Sequence, residues 1–307
     1  MKEKLSRLIQ RWMGVRVLGL DIEASRLNYA EVVPHNGALV LRQGGTLLVG
    51  EGGKKEALEK LASRIVPSDI NIACAFSCPE LIVNPFRFPR ISQKEFPKAI
   101  RMEAEAAILE EQSLDEMVID WHRTGPVSGE EMEGILAVAP RSMITGCVDM
   151  LQKAGVRPAI IDIKALALWN AFWKLTPGIA VTHGPVLLIN TAHDAIDLII
   201  AQGGQGLFLV RDLEIDVHAT MSEWLSEIRD SLDYAYSTGG LKKLEAAYIT
   251  GSGAQESLAE ALASAIGLHV PIWNPFHYLQ WESHGSNLVF SEGHGMSVAV
   301  GLALRNL

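Results

Sequence analysis

A glycine loop between an apolar strand and an amphipathic helix is the feature that most constrains the fold of this chain. The loop has the sequence Thr250-Gly251-Ser252-Gly253-Ala254 and follows the apolar residues 247–249, and residues 270–276 have the pattern of a second strand. Between loop and second strand, three apolar residues recur at helical spacing: Leu258, Leu262 and Ile266. Because glycines let a backbone approach a flat or charged ligand, this unit can cradle a nucleotide. The same loop also forms where only tight packing is needed, so both interpretations stay open.

The composition favours a globular protein with two lobes. The chain has 307 residues, of which 48% are hydrophobic and 21% charged, and domains usually have about 100–200 residues. It contains no run of about 18 apolar residues, and its N-terminus lacks the apolar core and cleavage site of a secretory signal. We therefore expect a cytoplasmic protein. The formal net charge of -9 argues against nucleic acid as a partner, because that affinity requires Lys and Arg to neutralise phosphates.

The cysteines and histidines predict no metal site. Three cysteines are too few for a disulfide framework, and Cys74 and Cys78 lie in and just after an apolar run, which is typical of buried thiols. The nine histidines are scattered along the chain without the close pairing of metal ligands.

Residues 1–14 have the pattern of a short basic amphipathic helix. Its cations and its apolar face would provide membrane contacts through Lys4, Leu5, Leu8, Arg11 and Trp12. Such a helix can lie on the anionic inner leaflet of a bilayer. The alternatives are a frayed terminus or a helix docked on its own domain.

Two regions of the chain begin with the same hairpin pattern. Apolar strands are predicted at residues 16–22 and 27–33, and again at 186–189 and 195–201, which suggests an internal duplication. Between them, prolines introduce an inserted α+β module. Its predicted elements are a helix at 93–109, strands at 117–123 and 133–138, and a helix at 141–154 that ends at Gly155.

The order of several motifs resembles the type IV pilus assembly protein family PilM over nearly the whole chain. The motifs are Gly19-Leu20-Asp21-Ile22, Glu227-Ile228-Arg229-Asp230-Ser231-Leu232-Asp233-Tyr234, Thr250-Gly251-Ser252-Gly253-Ala254, Asn274-Pro275-Phe276 and Ala299-Val300-Gly301-Leu302-Ala303-Leu304. The family is similar to actin and to the division protein FtsA. The resemblance implies an α/β, actin-like fold with two RNase H-like lobes around a nucleotide cleft, an FtsA/PilM-type IC subdomain and a reduced IIB subdomain.

The resemblance also implies subdomain boundaries. They are 1–14 for the N-terminal helix, 15–80 with 157–184 for subdomain IA, 81–156 for IC, 185–212 with 245–307 for IIA, and 213–244 for a reduced IIB, where only one long helix is predicted.

The phosphate-binding hairpins depart from the pattern of actin-like ATPases. Such hairpins carry an Asp that holds hydrated Mg²⁺ and a Gly two residues later. The first hairpin here keeps Asp21 but has Glu23 in place of the glycine, and the second has Asn190 and Ala192 in the two positions. Losing the metal and its charge removes most of what phosphoryl transfer needs. The candidate nucleotide-binding residues are Asp21, Ser25, Asn190, Gly251, Ser252, Gly253 and Ala254, with no catalytic residue assigned.

A groove between subdomains IA and IC is the implied binding site for the N-terminal tail of PilN, a single-span membrane protein. The candidate groove residues on the insertion are Leu81, Val83, Phe86, Phe88, Glu103, Glu105 and Glu110. An extended tail would place leucines on the apolar strand and basic residues against the acidic cluster. A run of Glu on a helix is just as often a solvated face.

Two functions stay open at this stage. The first is a non-hydrolysing adaptor of a type IV pilus or type II secretion machine, cytoplasmic and peripheral at the inner membrane. It would need no cofactor, and other machine components and copies of itself are further candidate partners. The second is an ATPase of the same machinery, in which ATP and Mg²⁺ gate partner binding.

Overall fold

The computed structural model describes residues 16–65, 70–109, 111–124, 130–178, 184–192, 195–202, 206–214, 220–237, 240–281 and 290–305. The predicted N-terminal helix at 1–14 and the candidate groove residue Glu110 lie outside the described residues. No helix in the described part of the chain is both long and apolar enough to span a bilayer.

Strands and helices are interspersed along the described chain. The strands are β1 Val17–Ile22, β2 Arg26–His35, β3 Ala38–Leu48, β4 Asn71–Phe76, β5 Ile82–Pro89, β6 Met117–Arg123, β7 Glu131–Pro140, β8 Pro158–Ile163, β9 Val186–Thr191, β10 Ala195–Gln202, β11 Gly206–Glu214, β12 Ala246–Thr250 and β13 Gln280–Trp281. The helices are α1 Gly53–Ile65, α2 Phe96–Ala107, α3 Arg141–Lys153, α4 Lys164–Leu175, α5 Met221–Ser237, α6 Glu256–Ile266 and α7 Ser297–Ala303.

Two sheets repeat one strand order. The first sheet, which defines lobe I, has the order β13-β3-β2-β1-β4-β8, and the second, which defines lobe II, has the order β11-β10-β9-β12. In lobe I, β1 pairs antiparallel with β2 and parallel with β4. In lobe II, β9 pairs antiparallel with β10 and parallel with β12. Both predicted hairpins are therefore confirmed, and the matching topology supports the internal duplication.

The inserted module is a three-stranded sheet with the order β5-β7-β6, and α2 packs on one face of it. The centre of this packing is Phe96, whose ring lies 5.9 Å from that of Phe86 and 4.6 Å from that of Trp121. The helix begins at Phe96 rather than at the predicted residue 93, since Pro97 suits the first turn of a helix, where its missing N–H is not needed. The module follows β4 and returns to lobe I through α3 and β8.

The predicted second strand at 270–276 is wrong apart from one residue. Only Ile272 forms an isolated parallel bridge, with Ile249. Pro275 then starts a 3-10 turn. The side chain of Asn274 caps this turn by accepting a hydrogen bond from the Phe276 N–H. Two prolines and this cap direct the backbone away from a regular strand.

The last strand and the last helix belong to lobe I rather than to the second lobe, which corrects the predicted assignment of residues 245–307. Strand β13 pairs with β3, and α7 packs between β1 and α4. A Cβ atom added at Gly19 would lie 2.0 Å from the carbonyl oxygen of Ala299, and one at Gly301 would lie 1.8 Å from that of Ala167. Glycine at both positions therefore leaves the space that α7 needs to pack against β1 and α4.

Gly301→Ala is expected to lower the free energy of unfolding by about 3 kcal/mol, because the added methyl group overlaps the α4 backbone and forces the helices apart. Urea unfolding followed by circular dichroism measures the change.

Gly146→Ala is the matched control, since Gly146 also lies in a helix but has nothing within 4 Å of its Cβ position. This substitution is expected to leave stability unchanged or to raise it by up to about 1 kcal/mol. Equal effects of the two substitutions would contradict the packing argument.

A candidate site in the cleft between the lobes

Lobe I presents a row of polar side chains at the cleft. Asp21, Asn28 and Thr46 stand opposite one another across β1, β2 and β3. The Thr46 hydroxyl donates a hydrogen bond to Asn28 Oδ1 at 2.8 Å. Ser25 lies in the turn between the first two strands, where its backbone carbonyl accepts from the Val49 N–H at 2.8 Å.

Lobe II presents a matching row. Asn190, Asp197 and Asp212 stand opposite one another across β9, β10 and β11. Asn190 Nδ2 donates to Asp197 Oδ2 at 2.6 Å, and the Ser77 hydroxyl at the end of β4 donates to Asp212. The strand pairing of the duplicated fold thus brings two polar rows to the same cleft.

Lys164 is the cation between the two rows. It is the first residue of α4, is 8% exposed, and places Nζ at 3.8 Å from Asp21 Oδ1. Burial lowers its pKa, but the surrounding carboxylates outweigh burial and hold the pKa above the usual range of a lysine. The carboxylates with this effect are Asp21, Asp197, Glu23 and Asp212.

Glu23 joins lobe I to the glycine loop of lobe II. Its side chain is 6% exposed, and Oε1 accepts from Asn28 Nδ2 at 3.0 Å. Oε2 accepts from the Ser252 hydroxyl at 2.7 Å and lies 3.7 Å from Arg26 Nε. Burial, with the Asp21 charge second, raises the pKa of Glu23 to about 7. Glu23, which replaces the expected glycine, is thus an internal hydrogen-bond acceptor between the lobes.

The glycine loop uses its own N–H groups within the protein. Gly251 N–H donates to the His294 carbonyl at 3.0 Å, Gly253 N–H to the Thr191 carbonyl at 2.8 Å, and Ala254 N–H to the Gly251 carbonyl at 3.1 Å. Gly251 has a φ of +98°, and a Cβ atom there would lie 2.3 Å from the Thr191 carbonyl oxygen. Close packing on the end of β9 therefore accounts for both glycines.

Three residues predicted to bind a nucleotide already contact side chains of the protein. Asp21 lies beside the cation of Lys164, and the hydroxyl of Ser252 is bonded to the Glu23 carboxyl group. Asn190 on β9 is neutral and is bonded to Asp197. Among the described residues, no three His, Cys, Asp or Glu side chains gather in a way that suits a metal ion.

An open cavity of about 610 Å³ extends from the cleft to the inserted module, and residues of lobe I, lobe II and the module line it. Lys164 and Asp212 lie on its inner side. Its outer walls are the turn after β1, the start of α1 and one face of α3, and the side chains used below are Ile22, Ala24, Lys54, Met143, Gly146 and Met150. The resemblance implied a groove between subdomains IA and IC, but these lining residues were not predicted, because the sequence marks α3 only as a helix and gives no sign of what its face contacts.

The candidate groove residues on β5 do not line this cavity. Val83 and Phe86 are 5% and 3% exposed, so they are core residues rather than partner contacts, and this part of the prediction is corrected. Phe86 stacks on Phe88 with ring centroids 5.1 Å apart. Leu81 is half-buried against a small cluster next to α3. Ile82, Phe86 and Phe88, at alternate positions of one face of β5, pack in the interior of the module, so the apolar pattern on that face marks core.

The acidic residues of the module lie on and after α2. Glu103 is half-buried and Glu105 exposed. Asp115, which follows α2, forms an ion pair with Arg101 at 2.7 Å, so part of the acidic charge is neutralised within the module.

Comparison with solved structures places this architecture in the actin-like ATPase fold. A Bacteroides thetaiotaomicron protein with that fold matches with a TM-score of 0.50 and 14% identity over 85% of this chain and 91% of its own. The fold expected from the sequence is confirmed.

A chain of a PilM-PilN type IV pilus biogenesis complex matches more fully. Its TM-score is 0.78 at 22% identity, over 94% of this chain and 98% of its own. The cytoplasmic domain of EpsL, an inner-membrane component of the type II secretion system of Vibrio cholerae, matches with a TM-score of 0.51 at 12% identity, over 92% and 94%. The resemblance seen in the motifs thus extends to the fold. No family model and no curated protein sequence matches the chain.

Glu23→Gln is expected to change how stability depends on pH. In the wild type the folded state keeps a proton on Glu23 up to about pH 7, whereas the unfolded state releases it near 4.5, so this group's contribution to stability falls as pH rises through that window. The contribution is on the order of 3 kcal/mol at most. Glutamine at this position keeps a hydrogen-bond acceptor but does not titrate. The free energy of unfolding of the variant minus that of the wild type is therefore expected to increase from pH 4.5 to pH 7.

Denaturation at several pH values measures that difference. Glu51→Gln, on an exposed turn, is the control and is expected to show no such growth. A difference for Glu23→Gln that stays constant over the window would contradict the assignment.

Proposed function

We propose that the protein is an adaptor at the cytoplasmic face of the inner membrane, in a type IV pilus or related secretion machine. It binds the N-terminal tail of a PilN-like membrane protein and does not hydrolyse ATP. One observation carries the proposal: the contacts Glu23–Ser252 and Lys164–Asp21 engage polar groups of the cleft within the protein, while an open cavity extends from these residues to α1 and α3. The likeness to a chain of the PilM-PilN complex supports the same function.

The size and lining of the cavity support a short peptide as its ligand. Its volume of about 610 Å³ is in the range of ligand pockets in proteins, roughly 300–1,000 Å³. Ile22, Met143 and Met150 offer apolar surface for leucines, and methionine adapts its shape to different partners. Lys54 gives the rim a cation that can meet a peptide carbonyl or an acidic side chain.

The exposed acids of the module would receive basic residues of the tail outside the cavity. Glu105, Glu111 and Glu116 are exposed on or after α2. Such rim charges mainly speed association and set orientation rather than supply affinity. In this proposal the basic segment 1–14 lies against the anionic leaflet and holds the adaptor near its partner.

Gly146→Leu is expected to weaken tail binding at least about tenfold, or about 1.4 kcal/mol, because the new side chain would project into the cavity, where the Cβ position has nothing within 4 Å. Calorimetric titration of a synthetic tail peptide of the PilN-like protein into the purified full chain measures the affinity. Gln152→Leu, at an exposed position of α3 outside the cavity lining, is the matched control and is expected to bind as the wild type does.

The same titration with Mg-ATP separates the two functions. An adaptor binds the peptide equally well with and without Mg-ATP and gives no ATP heat. A peptide affinity that depends on Mg-ATP would favour the ATP-gated ATPase and overturn the adaptor. Equal peptide binding by Gly146→Leu and the wild type would remove the cavity as the binding site.

A further inference from the structure

The three cysteines of the chain lie in the region where α3 packs on lobe I. Cys74 lies on β4 and is fully buried, and Cys147 lies on α3 and is half-buried. Cys147 packs against the cluster that contains Cys74 and also against the small cluster that contains Cys78. All three are free thiols.

Cys147 differs from the other two in access and in surroundings. It lines the cavity, and so does Lys54. Hydrogen bonding by the Cys74 thiol, opposed by burial and aided by the Lys54 charge, lowers the pKa of Cys147. A thiolate is the nucleophilic form of cysteine, so the lowered pKa favours the reactive form of the one described cysteine that lines the cavity.

Cys74 is the thiol that interacts with Cys147, in the buried cluster against which Cys147 packs. This interaction and then burial raise the pKa of Cys74 well above its usual range. Cys78 belongs to the separate small cluster, where burial and then the Glu80 charge raise its pKa to about 11. Cys78 therefore serves as an internal comparison for the pair Cys74 and Cys147.

We propose that Cys147 and Cys74 form a reversible disulfide when a peroxide enters the cavity. The Cys147 thiolate attacks a peroxide oxygen, the O–O bond breaks, and with proton uptake a sulfenic acid and water result. The Cys74 sulfur then attacks the Cys147 sulfur, the S–O bond breaks, and the thiol proton leaves with the hydroxide as a second water. Overall, two electrons pass from the two sulfurs to the peroxide. A dithiol restores both thiols by exchange.

The disulfide would connect β4 of lobe I to the wall of the cavity that α3 forms. Cys74 belongs to β4 of lobe I, while Cys147 is one residue beyond Gly146 on the α3 face that borders the cavity. A covalent link at this position restricts how far α3 can move from lobe I. Only its effect on peptide affinity rests on the proposed function; the disulfide itself does not.

The test treats the reduced full chain with hydrogen peroxide, alkylates the remaining thiols, and identifies linked peptides by mass spectrometry. We expect a Cys74–Cys147 link that a dithiol reverses, with Cys78 still alkylated. Cys147→Ser is expected to leave Cys74 reduced, and Cys78→Ser to leave the link unchanged. Cys74→Ala is expected to accumulate Cys147 sulfenic acid, which dimedone traps, so the assignment is tested even if one variant folds poorly.

Two results would overturn the proposal. One is alkylation of all three thiols after peroxide treatment, and the other is oxidation of Cys147 in the wild type without a link to Cys74. Peptide titration before and after oxidation is a separate readout. A link without any change in peptide affinity would count against the cavity as the peptide site and not against the disulfide.

Discussion

The contact between α7 and α4 fixes the arrangement on which the rest of the molecule depends. Gly301 brings the two helices so close that Asn170 Nδ2 donates to the Gly301 carbonyl at 2.8 Å and Lys174 Nζ to the Leu304 carbonyl at 2.5 Å. Every residue of α7 is buried, between β1 and α4. Lys164 is the first residue of α4, so the packing of the C-terminal end of α4 against α7 determines the position of this lysine in the cleft.

Groups of both lobes hydrogen-bond to one another across the cleft. Burying one lysine is costly, but here carboxylates of both lobes surround it. The excess negative charge is reduced by proton retention, as the pKa values of Glu23 and Asp197, both raised to about 7 chiefly by burial, indicate. The hydrogen bonds of Ser252 with Glu23 and of Ser77 with Asp212 therefore link the two lobes around this lysine.

The sequence predicted the parts of the fold that depend on local pattern. Hairpins, the inserted module and the loop at Gly251 follow from alternation, helical spacing and glycines within short windows. The cleft network depends instead on strand register across the duplicated sheets, which places Asp197 beside Asp212 and Asn190. Lys164 has no local signal that separates it from a surface lysine. The two-residue strand β13 is likewise too short to give a pattern, so the return of the chain to lobe I was missed.

The same network explains why partner binding would be separate from nucleotide chemistry. A ligand shifts a conformational equilibrium only by the difference between its affinities for the two states. ATP entering this cleft would have to break the Glu23–Ser252 bond and place phosphates near several carboxylates. A peptide in the cavity would instead contact α1 and α3 on the outer side, with Glu23, Lys164 and Asp212 of the network on the inner side. The network thus joins the lobes at one side of the cavity, and α1 and α3 form the side on which a partner would bind.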